Sequence, residues 1–470
     1  VVHFEFQLTE GRNYVAKAKS YAKGLRRRSF LSAIGTTGAA ASAGLFQTED
    51  LEAALQGVNR NSSPSQLRIT DMRTAVIGPA PMKSPIIRID TNQGISGYGE
   101  VRDGANKDYA LMLKSRLLGE NPCNVDRIFR KIKQFGHHAR QAGGVCAVEM
   151  ACWDLAGKAW SVPAYQMLGG KFRDKIRLYS DTTQSPDPAI AGQRLKGRMD
   201  QGYTFLKVDF GIRLLDSVPG ALNRPLGLAL EDVREVMHPF TGIEITDKGI
   251  EILSDYVGGI REVIGMEIPL SSDHYGHIGV NSCIRLGRAM EKHQLAWMED
   301  MIPWHFTDLL REIKEAIDIP LCTGEDIYAK EEFARLVDAK AVDVIHPDLA
   351  SSGGLLETKK IGDLAMEGGV TMAMHYAGTP VGFLASVHCA AATENFLCLE
   401  HHGVDVESWE DLVTGIEKPI VQNGHVNVPE TPGLGIEPNE EVIRQHLYEP
   451  GYFEPTPEWD EKRAWDRLWS

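Results

Sequence analysis

The chain has no uninterrupted apolar run of the roughly 18 residues that a membrane span requires, so no stable membrane insertion is expected of any segment. It also lacks a basic excess. Its formal net charge is −14, and neutralising phosphates takes clustered Lys and Arg. Nucleic acid and anionic membranes are therefore excluded as partners, and small molecules are expected instead. No CxxC pair occurs among the seven cysteines, Cys123, Cys146, Cys152, Cys283, Cys322, Cys389 and Cys398. They lie mostly in apolar stretches and read as small buried hydrophobes; their odd number argues against a pure disulfide framework. No methionine precedes Met72, so Val1–Gly24 reads as an upstream extension or an alternative start. With 470 residues, 43% of them hydrophobic, the chain can build a sizeable core.

Several segments are legible along the chain. Arg26-Arg27-Arg28-Ser29-Phe30-Leu31, the small-residue run Ser32 to Phe46 and Ala41-Ser42-Ala43 place a basic region, a short apolar region and a cleavage-type site in the order of a signal peptide. The arginine pair Arg27 and Arg28 resembles a twin-arginine export signal, and a periplasmic or otherwise exported protein is expected, or a cytoplasmic one if the signal is unused. Residues 1–66 are read as export signal and linker. Alternation through Ile69, Met72, Ile77, Ile86 and Ile89, then helical spacing in Ala147 to Ala159, predict an α+β capping domain over 67–175. Strand and helix signals then alternate over 176–422, the pattern of an α/β fold built as a (β/α)8-type barrel. The loop-rich tail, 423–470, is too short to fold alone and is expected to return to the capping domain.

The spacing of acids at the ends of these strands carries the chemistry. Asp273, Glu299 and Glu325 lie 26 residues apart, Asp348 follows after 23, His375 after 27 and Glu400 after 25. One barrel unit takes roughly that length, so these side chains converge on one mouth. Three converging carboxylates stay ionised together only if a cation compensates them. Ligation by oxygen alone, with positions left for substrate, favours Mg²⁺. Asp348 and His375 end successive strands, and an aspartate bonded to an imidazole fixes its tautomer and makes it a base usable near neutral pH.

At these residues the sequence resembles the mandelate racemase branch of the enolase superfamily, and within it the galactonate-type acid-sugar dehydratases. The likeness is carried by Ala147 to Lys158, Leu168-Gly169-Gly170, Pro347-Asp348-Leu349, Gly353-Gly354, Asn395-Phe396-Leu397 and Pro432-Gly433-Leu434-Gly435. It implies one Mg²⁺ held by Asp273, Glu299 and Glu325, a catalytic dyad of His375 and Asp348, and Glu400 as the acid that hydrogen-bonds the enediolate. Lys207 matches the first lysine of the family's Lys-x-Lys; Asp209 stands where the second lysine serves the racemases as a base. The family's dehydratases carry a histidine two residues after the first metal ligand, where this chain has Tyr275, flanked by His274 and His277. Asp209, His274, Tyr275 and His277 are therefore the candidate substrate-binding positions, and the general acid is left open.

Asp273 follows Lys207 after 66 positions. The surplus over other units, around Gly211 to Gly249, follows the second strand and would overhang the mouth as a lid or serve oligomer contacts; a homo-oligomer is expected. The reaction implied is removal of the proton beside the carboxylate of a sugar acid, followed by loss of the 3-hydroxyl to give a 2-keto-3-deoxy acid. An epimerase, racemase or cycloisomerase would share the enediolate, and an exported sugar-acid binding protein would use the same site without turnover.

Overall fold

Strands β1 (Ile69–Ile77), β2 (Ser84–Thr91) and β3 (Ser96–Glu100) form an antiparallel meander. A late strand, Leu447–Tyr452, pairs with the free edge of β1 and closes a four-stranded sheet. The C-terminal segment thus returns to the N-terminal layer. The structure, a computed structural model, describes residues 63–78, 80–225 and 228–461. The export segment with Arg27 and Arg28 lies outside them. Among the described residues no helix is long and apolar enough to cross a membrane.

Helix α1 (Val125–Ile132) buries Val125, Ile128, Phe129 and Ile132, one face at helical spacing. Helix α2 (Gly143–Trp160) is buried all round, including Glu149 and Asp154, because it is wedged between the sheet and the rest of the protein. Its approach to β3 depends on glycine. A Cβ at Gly99 would lie 2.0 Å from the Ala147 carbonyl oxygen, and one at Gly97 2.4 Å from that of Ala151.

The remaining elements form the barrel. In chain order these are β4 (Lys175–Ser180), α3 (Pro188–Asp200), β5 (Leu206–Asp209), α4 (Asp247–Ile264), β6 (Leu270–Asp273), α5 (Val280–Met290), β7 (Leu295–Glu299) and α6 (Thr307–Ala316). Then come β8 (Leu321–Thr323), α7 (Lys330–Asp338), β9 (Val344–Ile345), α8 (Leu355–Glu367), β10 (Thr371–Met372), α9 (Pro380–Ala392) and β11 (Leu399–His401). Each strand pairs in parallel with the next from β4 to β10. The bridge Met374↔Leu399 and the pairing Leu399↔Leu178 close the ring. The eighth strand is followed by two 3₁₀ turns, Gly403–Asp405 and Glu410–Leu412, where the earlier strands are followed by helices. Tyr179, Phe205, Trp297, Cys322, Val344, Ala373 and Cys398 fill the interior, nearly one per strand, and make an apolar floor. All seven cysteines are free, and six are buried.

The surplus after β5 folds as a small excursion. Its neck is the antiparallel pair Leu222–Asn223 and Glu244–Ile245, and it carries the helix Leu230–Val236.

Two carboxylates of the cap hold it to the barrel by capping barrel helices. Glu100 accepts from the Thr379 and Gly382 backbone N–H groups at 2.8 and 3.0 Å and from the Thr379 hydroxyl at 2.5 Å, at the start of α9. Glu149 accepts from Leu355 N–H at 2.7 Å and Leu356 N–H at 3.0 Å, at the start of α8, and from the Trp153 indole at 2.6 Å. Helix N-termini carry unpaired N–H groups and partial positive charge, so a carboxylate there meets both needs. Glu149→Ala removes the acceptor and leaves those donors buried. It should lower unfolding stability by at least about 2 kcal/mol, read as a lower urea midpoint with unchanged slope.

Candidate active site

The strand ends place one functional side chain after another on the C-terminal face of the barrel. Lys207 lies within β5, Asp209 and Asp273 close β5 and β6, and Glu299 closes β7. Glu325, Asp348 and His375 stand two or three residues past short strands, and a parallel bridge joins Asp348 to His375. Lys207 Nζ lies 2.9 Å from Asp273 Oδ2, 3.0 Å from Glu400 Oε1 and 3.4 Å from Glu299 Oε1. Burial alone would strip its proton, but these three carboxylates hold its pKa well above the usual value.

Floor and rim meet at Glu299 and Glu400. Glu299 accepts from Trp297 Nε1 at 2.9 Å and faces His346 Nδ1 at 3.0 Å. Against the effect of burial, His346 and Lys207 hold its pKa down to about 2. Glu400 accepts from Tyr179 at 2.9 Å and lies 3.0 Å from His402 Nε2. Burial opposes its charge, yet Lys207, His402 and His375 hold its pKa well below the usual carboxylate range. The resemblance made Glu400 the acid that hydrogen-bonds an enediolate; here it lies at the mouth among Tyr179, Lys207 and His402.

Carboxylate oxygens of Asp273, Glu299 and Asp300 lie within 4.8 Å of one another. Burial and then the charge of Glu299 push Asp273 up to about 7. Asp300 is pushed up by burial and by Glu325, Asp273 and Glu299. The sequence reading omitted Asp300, although it directly follows Glu299. Glu325 borders the same cavity but points elsewhere, with Oε2 3.2 Å from His375 Nε2 and Oε1 3.4 Å from the Arg102 guanidinium.

The dyad has the expected contact, His375 Nδ1 lying 2.6 Å from Asp348 Oδ2. Burial would depress the imidazole pKa, but Glu325, Glu400 and Asp348 bring it up to about 10, with Arg102 opposing them. Arg102 was not foreseen. It enters from the cap just beyond β3, is fully buried, meets Asp348, lies 2.9 Å from His375 Nδ1 and pairs with Asp103 at 3.1 Å.

The four candidate substrate positions separate. A cavity of about 410 Å³ is bordered by Asp273, His274, Tyr275, His277, Asp300 and Glu325, and by Arg213, Arg234 and His238 of the excursion after β5. That excursion therefore overhangs the mouth. His274 is largely exposed and lies 3.5 Å from Asp209. Tyr275 borders the cavity but directs its hydroxyl inwards, onto Ser272, and is 1% exposed. His277 stacks on His238 with ring centroids 5.9 Å apart. Burial, with His238 and Arg234 nearby, pulls its pKa to about 4.

Known proteins share this arrangement. Residues 52–169 match the mandelate racemase / muconate lactonizing enzyme N-terminal domain, and residues 191–442 match the enolase C-terminal domain-like model. The chain belongs to the mandelate racemase / muconate lactonizing enzyme family of the enolase superfamily. A D-xylonate dehydratase of Haloferax volcanii is 32% identical over 86% of this chain and 95% of its own length. An arabinonate dehydratase of Saccharolobus solfataricus is 28% identical over 81% of this chain and 95% of its own. Among solved structures, a mandelate racemase/muconate lactonizing enzyme-like protein from Rubrobacter xylanophilus superposes with a TM-score of 0.73. It is 31% identical, over 83% of this chain and 99% of that one.

In this member of the family the N-terminal domain is more than a roof, because its Arg102 neutralises part of the barrel's dyad. Arg102→Met removes this cap guanidinium from the contact and leaves Asp348 and Asp103 buried without it. Breaking a buried pair in this way costs about 3 kcal/mol or more. The expected result is a correspondingly lower denaturation midpoint, larger than that of Arg140→Met, since Arg140 reaches Asp103 from a half-exposed position.

Proposed function

We propose that this chain is a Mg²⁺-dependent hydro-lyase that converts a sugar acid to its 2-keto-3-deoxy acid. The observation that carries the reading is the His375–Asp348 pair lying beside a group of carboxylates and one buried lysine, on the face where barrels of this kind do chemistry. The named activities of its relatives, xylonate, galactonate and arabinonate dehydration, point the same way.

The donor types suit the metal. Asp273, Glu299 and Asp300 bring carboxylate oxygens within 4.8 Å of one another, Glu325 borders the cavity that Asp273 and Asp300 line, and this crowded charge is what a hard divalent cation relieves. When bound, Mg²⁺ would supply positive charge against the substrate carboxylate. Lys207 adds a fixed positive charge beside the developing enediolate. His375 Nε2 takes the C2 proton while Asp348 holds Nδ1. Glu325 is the strongest force keeping a proton on His375.

Asp209 in place of a second lysine removes the opposite base that a racemase needs. A binding protein without turnover would have no use for a positioned dyad. Export through Arg27 and Arg28 is part of this proposal, supported by residues that precede the family match, which begins at residue 52.

His375→Asn keeps a polar group but cannot accept the proton at neutral pH. Its kcat should fall roughly 10²-fold or more, with substrate affinity little changed. D-xylonate, D-galactonate, D-gluconate and arabinonate come first in the assay panel, with 2-keto acid as the readout. Wild-type turnover by the variant would overturn the assignment of the base.

Chelation should abolish activity, and Mg²⁺ should restore it. Mg²⁺ should also raise the melting temperature of the wild type, about 2.7 kcal/mol of stabilisation at a hundredfold excess over Kd. That gain should shrink in Glu299→Gln. Full activity in chelator, or equal thermal gain in both proteins, contradicts the metal site.

A further inference from the structure

The site contains a second carboxylate–imidazole pair that the dehydration described above leaves without a role. His402 follows β11 directly. Its Nε2 lies 3.0 Å from Glu400 Oε1 and its Nδ1 3.6 Å from Asp181 Oδ2. Its ring centroid is 5.5 Å from that of His375. The adjoining His401 faces the other way: its Nδ1 lies 3.0 Å from the Tyr203 hydroxyl, and the ring packs on Phe383 and Trp409. Strand alternation thus assigns one histidine to the core and the next to the mouth.

We propose that His402 is the general acid that protonates the departing 3-hydroxyl. The inference rests on the dehydratase reading and assigns the group that reading leaves open. Glu400 faces the Nε2 edge at ion-pair distance, 3.0 Å, while Asp348 bonds Nδ1 of His375, so each imidazole has a carboxylate beside it and the two take opposite duties. The Nδ1 edge is the one open to substrate, because 3.6 Å to Asp181 exceeds hydrogen-bond length and the side chain keeps 18% of its surface exposed. With each imidazole reaching about 3 Å to its atom, rings this close can serve neighbouring carbons. His375 takes the C2 proton. The electron pair first passes into the carboxylate as the enediolate; it then returns to form the C2–C3 double bond as the C3–O bond breaks, and the oxygen leaves as water with the proton from His402 Nδ1. The enol becomes the 2-keto acid, and solvent returns a proton to His402 as His375 releases one.

The rival histidines fit less well. His277 is neutral near pH 7, with its pKa held at about 4, and so has no imidazolium proton to give. His274 stands on the opposite side, beside Asp209 and Asp273.

The test separates the two proton transfers. His402→Asn and His402→Gln are assayed in D2O with the best substrate of the panel, beginning with D-xylonate, and with its 3-deoxy-3-fluoro analogue, whose fluoride leaves without an acid. Both variants should lose dehydration at least 100-fold. Deuterium should still enter C2 of unreacted substrate, and fluoride should be released within a few-fold of the wild-type rate. Retained fluoride release also shows that the variants are folded. Dehydration at the wild-type rate would place the acid elsewhere. In variants that still melt cooperatively, parallel loss of exchange, fluoride release and dehydration would make His402 structural; each of these outcomes overturns the proposal. If the wild type gives no 2-keto acid from any member of the panel, the dehydratase reading itself fails, independently of the variants.

Discussion

Like charges are forced together at the mouth of this barrel. Asp273, Glu299, Asp300, Glu325, Asp348 and Glu400 share one small region from which water is largely excluded. Burial pushes Asp273, Glu299, Asp300, Glu325 and Glu400 towards the neutral form. What keeps Glu299 and Glu400 ionised is a thin set of counter-charges, Lys207 from β5 and imidazoles from neighbouring strands. At Asp273 burial and the charge of Glu299 outweigh Lys207 at 2.9 Å, and at Asp300 burial and the neighbouring carboxylates prevail, so both carboxyls are pushed upwards instead. The charge at the mouth is therefore incompletely balanced by the protein's own residues, and the proposed Mg²⁺ would answer that deficit.

The same constraint explains the cap. Arg102 crosses from the N-terminal layer into the barrel to stand against Asp348 and Glu325, over 246 residues of intervening sequence in the first case. Such a contact is useful only if the cap is fixed to within a fraction of a hydrogen-bond length. Glu100 and Glu149 fix it, through backbone donors at the starts of α8 and α9. Those helices follow the strands that lead to Asp348 and His375. Cap position and dyad geometry are thus set by one group of elements, and the described residues form a single compact unit.

Much of this could be read from the sequence because a barrel repeats at nearly constant length. The spacing of Asp273, Glu299 and Glu325 placed them at strand ends before any coordinates, and the long interval after Lys207 marked the excursion that overhangs the cavity. Contacts that cross the repeat could not be read in this way. Arg102 follows a recognisable glycine motif, yet nothing local says that its guanidinium reaches the dyad. Tyr275 occupied a position where a reactive side chain was expected, but the left-handed residues His274 and Gly276 on either side, with φ of 64° and 98°, turn the chain there, and its hydroxyl goes to Ser272. Asp300 and His402 each follow an acid that spacing had already marked, directly or at two residues' distance. They were missed because spacing selects one residue per strand, whereas a turn just past the strand can bring a second to the same mouth.

Asp209 shows how the charge pattern restricts the chemistry. A lysine there would add a second cation beside Lys207 and a second base across from His375. The aspartate removes both and draws His274 towards it at 3.5 Å. Burial raises its pKa, with Lys207 and His274 opposing. Positive charge on that side comes instead from Arg213 and Arg234 of the excursion, at the edge of the cavity. In the proposed dehydration the base is thereby confined to the His375 side, and the opposite side is left to orient the substrate. A site with one base and no opposed partner can remove a proton and expel a leaving group, but it has nothing with which to return the proton to the other face.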